Sequence, residues 1–189
     1  MEFCVLPSGA KTLRNVTIPA CLMGQNGDLM TTDLTIKDGL ITSTDAGQPA
    51  ETVIEMNGAM ALPCFVDMHT HLDKGHIWPR ASNPDGSFMG ALATVRDDHV
   101  NWTVTDVEAR MDFALRCAYA HGTKAMRTHI DSADDLAASS FGVVAKLQKK
   151  WEGKIALQAS CLVAIDRVFR TKDIFPEVAK LVAETGNVL

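Results

Sequence analysis

The chain contains 189 residues, of which 47% are hydrophobic and 22% are charged, and its formal net charge is −5. This balance is typical of a globular protein and excludes a largely disordered one. Nucleic-acid binding is disfavoured, because neutralising phosphates requires a patch of clustered Lys and Arg that the sequence lacks. A membrane helix is also disfavoured, since no apolar run approaches the roughly 18 residues that such a helix needs.

The cysteines are scattered along the chain without C-x-x-C spacing. They are Cys4, Cys21, Cys64, Cys117 and Cys161. An odd, scattered set of this kind predicts reduced thiols in a reducing compartment. The N-terminus shows no charged region followed by an apolar run, so no signal peptide is predicted. These features together predict a cytoplasmic protein with no membrane partner and no nucleic-acid partner.

The first part of the chain predicts short strands joined by tight turns. Strands are predicted over 15–22, 34–42 and 52–58. Asp38-Gly39 and Asn57-Gly58 supply residues that tolerate the positive φ of a tight turn. We therefore predict a small β unit over 1–60, too small to be stable alone, and a second unit over 61–189.

After Gly58 strands and helices alternate. The apolar run over 59–69 predicts a strand covered on both faces. A long polar loop follows over 74–101, and a further strand is predicted to begin at 187. The remaining predicted elements are helices over 103–122, 132–151 and 172–186 and strands over 123–131 and 154–165. Thr105 or Asp106 is the predicted N-cap of the first helix, and Gly122 its end.

Strict alternation predicts a parallel sheet with right-handed crossovers. No Gly-rich phosphate turn follows the first of these strands, which argues against a doubly wound sheet. The polar candidate residues fall at the carboxyl ends of strands, where (β/α)8 barrels have their active sites. We therefore predict an α/β fold: the first three βα units of an incomplete TIM barrel. Because an open half-barrel exposes a sheet edge, we expect the chain to be the N-terminal portion of a longer protein.

His69 and His71 stand two positions apart where the apolar strand becomes a loop. Alternate residues of a strand point to the same face, so both imidazoles can bind one divalent ion at roughly 2.0–2.1 Å. Asp67 lies on the same predicted face and can accept an imidazole N–H. The alternative is two unrelated polar residues at a strand end.

The run "ALPCFVDMHTHLDK" resembles the first-strand signature of the amidohydrolase superfamily, and the segment around "IKDGLIT" resembles its small N-terminal β-sandwich. Within that superfamily, "HTHLD", the "NPDGSF" loop over 83–88 and "RTHID" over 127–131 are most similar to the cytosine deaminase branch. The resemblance implies a TIM barrel preceded by a β-sandwich segment. It also implies a metal-dependent hydrolase acting on a non-peptide C–N bond, which deaminates a cytosine-like or triazine-like heterocycle.

The same resemblance implies one Fe²⁺ or Zn²⁺ held by His69 and His71. Its remaining ligands and the acid–base residues are expected beyond Leu189, so no catalytic residue is expected within this chain. Asp67 and His129 are expected beside the ligands, where they orient them. For His129 simple packing is the alternative, with an ion pair between Arg127 and Asp131 on either side of it.

Three further residues are candidates for substrate binding. Phe88 matches a pocket-lining loop position of the family, with loop anchoring as the alternative. Ala164 stands where cytosine deaminases carry a glutamine, which argues against cytosine itself and leaves room for a methyl group or a second ring. Lys74 replaces a small polar residue and can meet an anionic group on a substrate, with a solvated loop lysine as the alternative.

Two rival functions remain open. One is a cyclic-amide hydrolase of the dihydroorotase or hydantoinase kind, whose two metals are bridged by a modified lysine outside this chain. The other is a catalytically inactive, truncated fragment that needs a second chain to supply the C-terminal half. Release of ammonia separates a deaminase from a cyclic-amide hydrolase. A small heterocyclic substrate is the expected partner, and the complete protein is expected to be a homo-oligomer.

Overall fold

The computed structural model describes residues 7–45, 47, 49–83, 85–133, 135–171 and 174–189. Cys4 and Pro84, which belong to the predicted thiols and to the "NPDGSF" loop, lie outside these residues. The other four cysteines are free thiols. The chain divides into two compact units, Met1–Pro63 and Cys64–Leu189.

The first unit is a 4-stranded sheet with the strand order β3-β2-β1-β4. Its strands are β1 Lys11–Pro19, β2 Leu29–Lys37, β3 Leu40–Ser43 and β4 Thr52–Glu55. β1 is antiparallel to β2 and parallel to β4, and β2 is antiparallel to β3. Val16, Ile18 and Leu34 form its buried core, which alternating side chains of β1 and β2 supply.

The turn residues of this unit are confirmed. Asp38 and Gly39 both have positive φ and join β2 to β3, so the β-rich segment over 34–42 contains the predicted hairpin turn. Asn57 and Gly58 also have positive φ just after β4. The strand predicted over 15–22 was misplaced, because β1 ends at Pro19 and a 3₁₀ turn, Ala20–Met23, follows it.

The second unit is a 3-stranded sheet with the order β5-β6-β7, and both strand pairs are parallel. Its elements are β5 Phe65–Thr70, α1 Phe88–Asp98, α2 Val104–Ala120, β6 Thr123–Asp131, α3 Ala137–Lys150, β7 Ala156–Leu162, α4 Ile165–Arg170 and α5 Ile174–Thr185. Val188 forms a parallel bridge with Ser160 of β7, as the strand predicted from 187 requires. The alternating α/β fold is confirmed, and the described strands do not close a barrel.

Helices α2 and α3 pack through apolar stripes. Met111 and Leu115 are fully buried on α2, and Phe141, Val144 and Leu147 are fully buried on α3. These positions recur every three or four residues, which places them on one face of each helix. Each such side chain contributes roughly 1.5–3 kcal/mol when removed from water. The resulting core holds the sheet in place beneath the site.

Three predictions for this unit were wrong. β5 is not covered on both faces, because Val66 and Met68 are 69% and 74% exposed; it also forms the edge of the described sheet. The loop predicted over 74–101 contains α1, and α4 was not predicted at all. Thr103, rather than Thr105 or Asp106, caps α2, since its hydroxyl accepts the Asp106 N–H at 3.2 Å.

Within the described part of the chain, every helix is too short or too polar to span a bilayer.

Candidate functional site

The two histidines of the H-x-H motif lie at the carboxyl end of β5. The pairing of β5 with β6 shifts between Asp67 and Thr70, because Asp67 pairs with Met126 whereas Thr70 pairs with Thr128. Three steps along β5 therefore match two along β6, which is a β-bulge. β5 ends at Thr70, so His71 follows the strand. The bulge interrupts simple alternation, yet the rings of His69 and His71 lie with their centroids 5.3 Å apart.

A third imidazole joins this pair from the neighbouring strand. His129, near the carboxyl end of β6, stacks on His69 with a centroid distance of 4.3 Å. Its ring lies 5.8 Å from that of His71. The structure therefore brings together all three histidines that the sequence singled out, at the edge where active sites of parallel β/α proteins form.

The protonation of His71 is fixed by one hydrogen bond. Nδ1 of His71 lies 3.1 Å from the backbone carbonyl oxygen of His129. A carbonyl only accepts, so Nδ1 carries the proton and Nε2 of the neutral ring keeps a free lone pair. Burial lowers the pKa of His71 below its ordinary value. Near pH 7 the ring is therefore neutral, which is the form that binds a metal ion.

The donor set fits a divalent transition metal in part. His69 and His71 offer two adjacent imidazoles, a ligand type that suits zinc and iron. Nδ1 of His129 is buried and has no hydrogen-bond partner among the residues that the structure describes. Over those same residues, no group of three or more His, Cys, Asp or Glu side chains is arranged to hold a metal ion. Catalytic zinc sites use three protein ligands, so the described residues supply two imidazole donors of an incomplete set.

Asp67 supports the site through the backbone rather than through a ring. Its carboxylate accepts the backbone N–H of His69 at 3.1 Å. The predicted bond from an imidazole N–H to Asp67 is therefore replaced by a bond that stabilises the bulge. This contact fixes the peptide that carries His69.

Asp73 is a buried acid whose position sequence reasoning missed. It is 1% exposed, and its carboxylate accepts the backbone N–H of Asp131 at 3.1 Å. Burial raises the pKa of Asp73 to about 6. The Thr128 hydroxyl accepts the Leu72 N–H at 2.9 Å. These two bonds hold the segment after His71 against β6. The position of Asp73 within "HTHLD" is the one sequence signal for this role.

Lys74 is held at the same edge of the sheet. Its ammonium group lies 2.9 Å from the carboxylate of Asp131, and its side chain is 17% exposed. The alternative of a solvated loop lysine is therefore wrong. Arg127 donates instead to the Gln158 side chain on β7, at 2.7 and 3.0 Å. The alternative of an ion pair between Arg127 and Asp131 is wrong as well.

The other two candidates for substrate binding lie on segments that follow strands. Phe88 is the first residue of α1 and is 75% exposed. Ala164 is exposed and immediately precedes α4. Both segments leave the carboxyl side of the sheet, one after β5 and one after β7. Their roles toward a substrate stay predictions.

A network of charges holds the segment between β5 and α2, and sequence reasoning missed it. Arg80 donates to Asp98 at 2.7 and 2.8 Å and to Asp106 at 2.9 Å. Asp98 also accepts the Trp102 indole N–H at 2.8 Å. The hydrogen bonds from Arg80 hold the pKa of Asp98 well below its usual range.

Arg110 of α2 connects this network to the histidine site. It donates to Asp106 at 2.9 Å, to the carbonyl of Gly75 at 2.9 Å and to the carbonyl of Asp73. It also lies over the Trp102 ring, 4.9 Å from its centroid. The backbone just after His71 is therefore fixed to the buried side of α2.

Comparison with known proteins now adds to this geometry. No protein-family model matches the chain. The chain is 46% identical over 199 aligned residues to a pterin deaminase from Rhizobium rhizogenes, covering 100% of this chain and 45% of that protein. Its fold is similar to that of N-isopropylammelide isopropylaminohydrolase from Burkholderia multivorans, with a TM-score of 0.66 at 25% identity over 94% of this chain and 42% of that one. The chain belongs to the amidohydrolase superfamily.

A further solved amidohydrolase structure supports the fold. 5-Methylcytosine deaminase from Klebsiella pneumoniae is similar with a TM-score of 0.70 at 18% identity, over 90% of this chain and 41% of that one. The chain thus spans less than half the length of each of these three relatives. The superfamily predicted from "HTHLD" and its neighbouring motifs is confirmed.

Proposed function

We propose that this chain is part of a metal-dependent hydrolase that removes an amino group from a heterocycle and releases ammonia. The observation that carries the proposal is the meeting of His69 and His71 at the carboxyl edge of a parallel sheet, with Nε2 of His71 left free by the bond to His129. The relatives support it, because the names of all three enzymes denote removal of an amine.

One divalent ion, Fe²⁺ or Zn²⁺, would be held by His69 and His71, with further ligands expected beyond Leu189. Such an ion would activate water for attack on a ring carbon that bears an amine. The chain's own residues prepare the ligands: the His129 carbonyl orients His71, and Asp67 fixes the backbone of His69. Asp73 and Arg110 hold the segment that follows His71.

The substrate that we favour is a pterin-like bicyclic ring, ahead of a cytosine-like or triazine-like one. The similarity to the pterin deaminase extends over the whole length of this chain. Ala164 replaces the glutamine expected in cytosine deaminases, and its small side chain leaves room for a second ring. Phe88 would then lie beside the flat face of the substrate.

We further propose the setting in which the site works. The unit from 61 onward would be the first part of a (β/α)8 barrel, preceded over 1–60 by a β-sandwich segment, as in the cytosine deaminase branch. The complete protein would be a homo-oligomer in the cytoplasm, where its scattered thiols stay reduced. Since the relatives extend beyond the matched part as single chains, a separate second chain is not needed to supply the rest of the site.

The test is ammonia release from pterin by the full-length protein and two histidine variants. We expect turnover by the wild type and a loss of roughly a hundred-fold or more in His71→Ala, because a ligand is removed. His121→Ala is the matched control, since that imidazole bonds to the Cys117 carbonyl at the end of α2. Opening of a cyclic amide without ammonia would support the rival hydrolase. No ammonia from pterin or any other amine-bearing ring would overturn the proposal.

A further inference from the structure

A cavity of about 320 Å³ lies at the carboxyl edge of β5 and β6. Its walls include Lys74, Leu92, Val95, Arg96, Asp131 and Arg167. Lys74 follows His71 by three positions, and Asp131 follows His129 by two. The bond from the Asp131 N–H to Asp73 holds these two segments together. The cavity therefore adjoins the histidine site.

The walls of this cavity carry an excess of positive charge. Lys74, Arg96 and Arg167 are cations, whereas Asp131 is the one carboxylate among the named lining residues. The ion pair between Lys74 and Asp131 cancels one positive charge. The two arginines then leave a formal surplus of two positive charges. A cavity of this kind attracts an anion and disfavours a cation.

The two arginines are also free to meet a ligand. Among the described residues, no ion pair joins Arg96 or Arg167 to a carboxylate. On α4 the neighbouring Asp166 lies 3.7 Å from Arg170 instead. A guanidinium group binds carboxylate or phosphate oxygens through paired hydrogen bonds. Arg96 of α1 and Arg167 of α4 line the same cavity from different helices.

Part of the cavity wall is apolar, beside the charged residues and His99. Leu92 and Val95 of α1 lie on it beside Arg96. An apolar wall next to cations matches a flat ring that carries an acidic substituent, because the ring packs on the aliphatic side chains while the acid meets the arginines. A free inorganic anion would use the cations and leave this wall in contact with water.

We propose that this cavity binds an anionic substituent of the substrate, a carboxylate or phosphate carried by the heterocycle, with Arg96 and Arg167 as the groups that meet it. The inference rests on the proposed deaminase function, since it concerns the ring that this function acts upon. It narrows the substrate class from heterocyclic amines to acidic ones. Lys74 neutralises Asp131 and thereby keeps that carboxylate from repelling the ligand.

The experiment measures the affinity of the full-length protein for two ligands by titration calorimetry. The ligands are pterin and pterin carrying a carboxylate at carbon 6. We expect the wild type to bind the carboxylated ring about ten-fold or more tightly than pterin, as a charge-assisted pair would provide. Arg167→Gln and Arg96→Gln should each reduce that ratio of affinities toward one. Arg170→Gln is the matched control on the same helix and should keep it.

The outcomes separate this inference from the proposed function. Equal affinity of the wild type for both ligands, no binding of either, or an unchanged ratio in both arginine variants would overturn the inference. If inorganic phosphate binds in a way that Arg96→Gln and Arg167→Gln abolish, and the carboxylated ring does not displace it, the cavity takes a free anion and the inference also fails. A preserved preference for the carboxylated ring without any release of ammonia would instead overturn the deaminase and leave only the assignment of Arg96 and Arg167 as the groups that bind the acid.

Discussion

The proton on Nδ1 of His71 determines what the other nitrogen of that ring can do. Because this proton is donated to the His129 carbonyl, Nε2 faces away with its lone pair available. The bond also links β6 to the segment that follows β5, so the tautomer of His71 depends on how the two strands pair. The H-x-H spacing identifies His71 as a candidate ligand, but its tautomer is set by the backbone of His129, which lies 58 positions further along the chain.

Asp98 provides a prediction at the scale of one side chain. It is 3% exposed and accepts hydrogen bonds from Arg80, Asn101 and Trp102. Asp98→Asn should lower the free energy of unfolding by about 2–3 kcal/mol, because a charged acceptor is lost and buried donors keep a poorer partner. Asp97→Asn, at the exposed neighbouring position, should change it by less than about 0.5 kcal/mol.

The pH dependence of this effect has a definite sign. Because the pKa of Asp98 is lowered in the fold, its ionised form stabilises the fold above about pH 4, and that stabilisation is lost as the pH falls toward the folded-state pKa. Thermal unfolding of the full-length protein between pH 3 and 7 should therefore show a shallower acid decline in Asp98→Asn. An acid decline as steep as that of the wild type would contradict this assignment.

At the scale of single residues, the meeting of the three histidines was more predictable than the charges that support them. His69, His71 and His129 meet as expected, because strand ends of a parallel sheet share an edge. Asp98 and Arg110 were missed, because charges within a polar stretch usually remain in water. Their burial depends on partners as distant as the 37 positions that separate Arg110 from Asp73. No local pattern in the sequence marks such a pair.

At the scale of elements, regular segments were predictable and irregular ones were not. β6 spans the residues that the sequence predicted, since it is bounded by Gly122 and carries alternating burial. The bulge in β5 was not predicted, because it depends on the register with β6 and leaves the sequence pattern unchanged. α1 was missed because its apolar side chains are largely exposed, Phe88 and Met89 by 75% and 69%. A helix without a buried stripe lacks the signal used to find it.

The tie between α2 and the segment after β5 gives a prediction at this scale. Arg110 is 7% exposed, and Arg110→Ala would leave the carbonyls of Asp73 and Gly75 without this donor. We expect faster amide hydrogen exchange over 72–81 and a loss of about 2–3 kcal/mol in stability. The measurement is hydrogen-exchange mass spectrometry of the full-length protein.

Lys146→Ala is the control for this experiment. Lys146 forms an ion pair with Glu108 at 2.7 Å, but its side chain is 64% exposed, so its removal should cost less than about 1 kcal/mol. Exchange over 72–81 should stay unchanged in that variant. Equal exchange in the two variants would mean that Arg110 does not hold the segment.

At the scale of the whole molecule, the exposed face of β5 is the main feature left without a partner in the described chain. Val66 is 69% exposed and Met68 is 74% exposed on a strand rich in apolar residues. The relatives continue well beyond the part that this chain matches. The run over 59–69 was predicted to be covered on both faces, and in the described chain it is not. In the proposed barrel, the remaining part of the full-length protein would cover the exposed side chains of β5, as the apolar run over 59–69 predicts.

A pair of valine substitutions tests that proposal. In the full-length protein Val66→Asp should lower the melting temperature by about 5 °C or more, because a charge would enter the barrel wall. Val100→Asp is the matched control, since Val100 is 88% exposed in a 3₁₀ turn, and it should have little effect. Equal, small shifts in both variants would show that β5 is exposed in the full-length protein too.

The central claim is that His69 and His71 hold one divalent ion that the deamination requires. The most direct test removes metal from the full-length protein with a chelator and returns Zn²⁺ or Fe²⁺ in steps while ammonia release from pterin is measured. We predict that activity disappears on chelation and returns in proportion to the metal added, with a break at one ion per chain, and that His71→Ala shows no such return. Full activity in the metal-free protein, or equal recovery in His71→Ala, would contradict the claim.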